Sequence, residues 1–151
     1  MGKTLTPKQQ IDVLIKHIQM NAKDIMIEII NDEVIPTMLE MIDKHVYDVY
    51  EPKVYKRRYE RGGLADPTNF DYTVDIDGDC IVFSVKNITA PVEEGEGLYL
   101  DYILASGEYR PYMKRDFYEP TREIMRDVLP KLIKEKFEKR GIRVSFNVVV
   151  K

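Results

Sequence analysis

The sequence predicts an α+β fold: a long N-terminal helix or helix pair, an antiparallel β-sheet built on a hairpin, a C-terminal helix and a final strand. Three observations predict it. Helical periodicity fills the first third of the chain and returns near residue 120, strict alternation begins at residue 70, and a β-rich segment covers residues 142–150. The elements do not repeat as βαβ units, so we expect no parallel doubly wound sheet.

The first helix is predicted to begin at Thr6-Pro7, because threonine suits the N-cap and proline suits the first helical position. Apolar residues then recur every three or four positions, which predicts one continuous apolar face. That face consists of Ile11, Ile15, Ile18, Ala22, Ile25 and Ile29. Helical spacing continues to about residue 50. Asn31-Asp32 would divide this stretch into two helices, whereas Pro36 would kink a single one, and both alternatives stay open.

The hairpin is predicted from alternation along residues 70–85. Phe70, Tyr72, Val74 and Ile76 share one face, and Asp71, Thr73 and Asp75 share the other. Asp77-Gly78-Asp79 is a turn signal in which glycine supplies the positive φ, and Cys80 begins the second strand.

The C-terminal part is predicted to contain a helix that opens at Glu119-Pro120-Thr121 and ends before Gly141. Pro130 lies inside the helical pattern, so we expect a kink or a division into two helices. Residues 98–104 are apolar enough for a short strand or helix.

The whole chain, residues 1–151, is predicted to be a single domain, because its length and its 44% hydrophobic content suit one core. Residues 1–6 are expected to be a flexible N-terminus. Residues 51–69 and 90–97 are expected to be mobile loops, since they are rich in turn-forming and charged residues.

Composition excludes several classes of protein. The formal charge of −3 argues against a dedicated nucleic-acid binder. One cysteine and two histidines are too few for a structural zinc site, and one cysteine allows no internal disulfide, which fits a reducing cytoplasm. No run of eighteen apolar residues is present and no export signal is visible, so we expect no membrane association.

Motifs for catalysis are scarce. The sequence has no nucleophile elbow, P-loop, complete dinucleotide fingerprint or zinc-protease helix motif. The cluster Asp71, Asp75, Asp77 and Asp79 would suit a divalent cation, but a solvated hairpin face explains it better. Cys80 and His17 are likewise better explained as ordinary residues than as nucleophile and base. We therefore expect a protein that is not an enzyme, with no metal and no cofactor.

The most informative stretch is residues 47–64, where four tyrosines interleave with five cations. Tyrosine and arginine dominate protein interface hot spots. The same mixture suits the binding of single-stranded nucleic acid, because tyrosines stack on bases and cations pair with phosphates. A third interpretation is a basic surface loop held in place by its tyrosines.

Tyr47, Tyr50, Pro52, Tyr55, Arg57 and Leu64 follow a Tyr-x-x-Tyr-x-Pro-x-x-Tyr-x-Arg signature with a later leucine. Arg110-Pro111-Tyr112 precedes the last helix. In these motifs and in their order along the chain, the sequence resembles the tail-completion, or head–tail joining, proteins of tailed bacteriophages over roughly residues 10 to 140. It departs from that family at Arg57-Arg58, where Arg-Thr is usual, and at residues 103–107.

The resemblance implies a structural virion protein of the neck or tail, assembled in the bacterial host cytoplasm. Its subunits would form a homo-oligomeric ring, most simply a hexamer, that contacts other neck and tail proteins while DNA passes through the lumen without specific binding. Tail terminator, head stopper and adaptor remain alternatives. The residues expected at interfaces are Tyr47, Tyr50, Tyr55, Arg57, Arg58, Leu64, Arg110 and Tyr112. The rival hypothesis is a cytoplasmic nucleic-acid-binding accessory protein that uses residues 47–64.

Overall fold

The computed structural model describes residues 4–49, 61–90, 102, 104–105 and 115–151. The elements named below are, in chain order, α1 (Pro7–Ile29), α2 (Ile35–Ile42), β1 (Phe70–Asp77), β2 (Cys80–Asn87) and α3 (Tyr118–Lys139). A long N-terminal helical stretch, a two-stranded antiparallel sheet and a C-terminal helix confirm the predicted α+β fold. No helix in the described ranges is long and apolar enough to cross a membrane.

The N-terminal stretch is one helix from Pro7 to Tyr47, so Asn31-Asp32 does not divide it. Thr6 caps it as predicted: its hydroxyl accepts from the Gln9 N–H, and the Gln9 side chain accepts from the Thr6 N–H. A π-helical turn, Ile30–Val34, precedes α2, and a second follows it at Asp43–Tyr47. The first turn ends two residues before Pro36, which lacks an N–H and would crowd the carbonyl four residues earlier in a regular α-helix.

The hairpin has the predicted strands and faces. β1 and β2 pair in register from Phe70 opposite Asn87 to Asp77 opposite Cys80, which leaves Gly78 and Asp79 as the two-residue turn. Gly78 has a φ of 61°, the conformation that favours glycine. The inward face carries apolar cross-strand pairs such as Val74 with Phe83, and the acids of β1 are exposed on the other face.

α3 runs unbroken through Pro130, so the division considered from the sequence is wrong. Buried residues lie on both sides of the proline, and their packing on the core offsets the missing hydrogen bond. The helix ends as predicted at Gly141, whose φ is 71°. The Gly141 and Ile142 N–H groups donate to the carbonyls of Glu138 and Phe137, which satisfies the last carbonyls of the helix.

The core lies where the long helix, the inward face of the hairpin and α3 meet. Its fully buried side chains include Ile25, Ile29, Met38, Ile42 and Phe117. Residues 61–69, the described part of the predicted loop 51–69, form turns and a short 3₁₀-helix, Pro67–Asn69. Of the predicted segment 98–104, Tyr102 and Leu104 are helical. Ala90 is the only described residue of loop 90–97.

Candidate interaction surface

Two of the eight predicted interface residues lie in described parts of the chain. Tyr47 is half-buried at the end of the long helix and packs against the core. Leu64 is 2% exposed and belongs to the core itself. Six residues lie outside the described ranges: Tyr50, Tyr55, Arg57, Arg58, Arg110 and Tyr112. The interface role of all eight stays a prediction.

The chain that follows the Tyr/Arg stretch is held by hydrogen bonds around Asp66. Its carboxylate accepts from the Gly62 N–H at 2.7 Å and from the Thr68 hydroxyl and N–H at 2.7 and 2.9 Å. These bonds, the Thr68 hydroxyl first among them, hold the pKa of Asp66 below its ordinary value. The Asn69 amide also donates to the Gly63 carbonyl at 2.9 Å. Residues 62–69 therefore form a turn with its own polar framework.

A buried polar cluster joins this turn to the end of β2. Asn87 is fully buried, and its amide donates to the Leu64 carbonyl at 3.0 Å. The Thr89 hydroxyl and N–H donate to the Asn87 side-chain oxygen at 2.6 and 3.1 Å. The Tyr118 hydroxyl accepts from the Asn87 N–H at 3.0 Å, which ties the same point to α3. Sequence reasoning missed this cluster, because nothing in the pattern of Asn87 and Thr89 distinguishes them from ordinary strand-end residues.

The two ends of the Tyr/Arg stretch are therefore fixed by the core. Tyr47 packs on it at one end, and the turn anchored by Asn87 begins at the other.

An exposed apolar surface lies on the outer half of α1. Every residue from position 4 to position 17 is exposed. Ile11 is 58% exposed, Leu14 58% and Ile15 47%, and Ile18, one turn further, is only half-buried. These four residues, Ile11, Leu14, Ile15 and Ile18, lie three and four positions apart on one side of the helix and are called the apolar seam below.

The same side of α1 is buried further along. Ala22, Ile25 and Ile29 continue the spacing of the apolar seam, and Ile25 and Ile29 have no exposed surface. The spacings from Ile11 to Ile29 alternate between four and three residues, the pattern with which one helix packs along another. The fold therefore covers only the inner half of a face that the sequence carries along the entire helix.

Ion pairs fasten the inner half of α1 to the end of α3. Glu28 binds Arg140 at 2.6 Å and Lys136 at 3.1 Å, and Arg140 also donates to the side-chain oxygen of Asn21 at 3.1 Å. The hydrogen bond from Lys136 is the largest cause that holds the pKa of Glu28 below its ordinary value, and burial opposes it. The nearby charges of Arg140 and Lys136 add to the lowering. The hairpin reaches α1 at its turn, where the Gln19 amide donates to the Gly78 carbonyl at 3.2 Å.

The predicted final strand is an extended segment that returns along α3. Ile142, Val144, Phe146, Val148 and Val150 are half-buried, and the residues between them are exposed. Its first N–H is bound by the Phe137 carbonyl, and the Lys151 carbonyl accepts from the Arg122 guanidinium at 2.9 Å. Within the described ranges it joins no sheet. We call residues 142–150 the C-terminal segment below.

The acidic hairpin face and the lone cysteine form no compact site. Asp71, Asp75 and Asp77 alternate along the exposed face of β1, and Cys80 is exposed beside the turn. In the described ranges, no group of three or more His, Cys, Asp or Glu residues is placed to hold a metal ion.

One sequence signal could have identified the uncovered half of α1. At 1.5 Å per residue, the helix from Pro7 to Tyr47 is about 60 Å long, whereas α3 is about 33 Å long. A short hairpin and a helix of that length cannot cover an apolar face that continues over most of the longer helix. The mismatch in length predicts an exposed end.

Comparison with known proteins matches the chain to a protein family. The protein-family model described as YomN matches residues 10–140. YomN is the name of a protein of the SPBc2 prophage, so the family is associated with phage. No curated protein and no solved structure matches the chain. The match confirms the expected association with phage and does not itself assign the chain to tail-completion proteins.

Proposed function

Because the chain belongs to the YomN family, a phage-associated family, we propose that it is a structural subunit of a phage particle that works through protein–protein contacts. In this proposal the subunits associate with one another into a ring at the junction of head and tail, where the ring contacts other neck and tail proteins. The observation that supports it most is the uncovered apolar seam on α1.

The apolar seam supports a contact role because of its size and regularity. Isolated exposed apolar residues are common on soluble proteins, whereas three large aliphatic side chains about half exposed or more on one helical face are typical of interaction sites. Ile11, Leu14, Ile15 and Ile18 continue a face that already packs helix to helix within the fold. A second helix laid along the apolar seam would extend the same packing.

A repeated contact between copies suits the proposed ring. When one surface of a subunit binds a different surface of the next subunit, the interface is head-to-tail. Such interfaces form a closed ring when the rotation from one subunit to the next returns to the first subunit. A chain with a net charge of −3 also suits a lumen through which DNA passes without being held.

The experiment is the native mass of the protein, measured by light scattering over a wide range of concentrations. We expect the wild type to form a discrete oligomer and Ile15→Asp to shift strongly towards monomer, because it places a charge in the apolar seam. The matched control is Val13→Asp: Val13 is 57% exposed but lies on another side of the helix, so this variant should associate as the wild type does.

Two results would contradict the proposal. One is a wild-type monomer at every concentration, and the other is an equal effect of Ile15→Asp and Val13→Asp. Binding to single-stranded nucleic acid that weakens steeply with salt would instead favour the accessory-protein hypothesis for residues 47–64.

A further inference from the structure

The C-terminal segment has the form of a strand that lacks its neighbour. Alternate side chains of residues 142–150 face the protein, as in a strand at the surface of a sheet. The structure gives the backbone groups of residues 143–150 no hydrogen-bond partner in any part of the chain that it describes. Unpaired backbone in an extended, apolar segment is a template for pairing with another strand.

A second unpaired edge lies on the hairpin. β1 pairs with β2 along its whole length, from Phe70 to Asp77, on one side only. In the two-stranded sheet that the structure describes, the outer edge of β1 has no further strand. The outer edge of β2 has no further strand there either, so charge must distinguish the two edges of the hairpin. The exposed face of β2 carries Lys86 and no acid.

The exposed faces of β1 and of the C-terminal segment carry opposite charge. β1 presents Asp71, Asp75 and Asp77, all exposed. The C-terminal segment presents Arg143 on its exposed face, and exposed Lys151 follows it. Opposite charges placed across paired strands stabilise the pairing, and like charges oppose it. Pairing two C-terminal segments with each other brings no acid to these cations, whereas pairing one of them with β1 does.

We propose that the C-terminal segment of one copy adds as a strand to the outer edge of β1 in a second copy. The proposal rests on the self-association put forward above and adds a second contact to that of the apolar seam, with the C-terminal segment and the outer edge of β1 as its two surfaces. Because the two surfaces are different, the contact is head-to-tail and each subunit uses both of them, which is the arrangement that closes into a ring.

The proposal fixes which side chains lie opposite one another. If the strands run parallel, Arg143 lies opposite Asp71 and Ser145 opposite Thr73. If they run antiparallel, Arg143 lies opposite Asp77 and Ser145 opposite Asp75. In both strand orientations Arg143 lies opposite an aspartate at one end of β1, and Ser145 lies opposite a residue in the middle of β1.

Disulfide trapping between two separately prepared variants tests the contact. Each carries Cys80→Ser, since Cys80 is exposed. One also carries Ser145→Cys, and the other carries either Thr73→Cys or Asp75→Cys. Opposed strand positions lie within disulfide reach. We expect mild oxidation to give a mixed dimer with Thr73→Cys for parallel strands or with Asp75→Cys for antiparallel strands.

Charge reversal gives a second test on the intact assembly. Arg143→Asp should weaken self-association about tenfold, because repulsion replaces attraction at an exposed pair. Asp71→Arg with Asp77→Arg in the same chain should restore it. Lys131→Asp, an equal change at an exposed cation on α3, is the matched control and should have no effect.

The outcomes separate this inference from the proposed function. Oligomers that form normally, give no mixed disulfide at either position and respond equally to Arg143→Asp and Lys131→Asp would overturn the strand addition and leave the proposed function standing. A wild-type protein that stays monomeric would overturn both.

Discussion

The two halves of α1 carry the same pattern of residues and have opposite surroundings. Ile15 and Ile25 belong to one apolar face, yet Ile15 is 47% exposed and Ile25 has no exposed surface. The inner half is also fastened to α3 by the ion pairs of Glu28, which the outer half lacks in the described residues. The difference shows that a continuous apolar face on a helix does not by itself determine how much of that face the chain covers.

The largest expected effect is on stability, and it separates the two halves directly. Ile25→Ala should lower the free energy of unfolding by about 2–5 kcal/mol, because it leaves a cavity in the core. Ile15→Ala should change it by less than about 0.5 kcal/mol, because the side chain is already in water. Denaturant unfolding of the dilute protein measures both. Equal losses would show that the outer half is covered by its own chain.

A smaller effect is expected from the ion pairs of the inner half. Glu28→Gln should lower stability slightly at neutral pH, because Lys136 and Arg140 lose a partner that is partly exposed. Since folding lowers the pKa of Glu28 from its ordinary value of 4.5, its contribution is fully present above that pH. The contribution is lost as the pH falls through the lowered pKa.

Unfolding midpoints of wild type and Glu28→Gln over a pH series measure this contribution. The difference between them should be constant from neutral pH down to about pH 5 and shrink in more acidic solution. Glu123→Gln is the matched control, since Glu123 is an exposed acid of α3. A difference that grows on acidification would contradict the assignment of the ion pairs.

Much of the fold follows from local signals. The alternation of residues 70–76, the turn at Gly78, the Thr6 cap and the Gly141 end are each determined by neighbours in the sequence. Pro130 is different. Its local sequence predicts a break in the helix, but α3 is continuous because residues on both sides of Pro130 are buried in the core.

The candidate surface could be predicted only in part. The apolar face of α1 is visible in the sequence, but its division into covered and uncovered halves depends on which elements reach it in three dimensions. The C-terminal segment has the composition of a strand, but local sequence does not determine whether such a segment joins a sheet within its own chain. The cluster of Asn87 with Thr89 depends on contacts with the distant Leu64 carbonyl and Tyr118 hydroxyl.

Amide hydrogen exchange of α1 at low and high protein concentration tests the central claim most directly, that the uncovered half of the helix is a contact surface between subunits. We predict that residues 7–20 exchange rapidly in dilute solution and become protected as the oligomer forms. Residues 21–29, which the chain covers itself, should be protected throughout. Oligomers in which residues 7–20 exchange as fast as in the dilute protein would contradict the account.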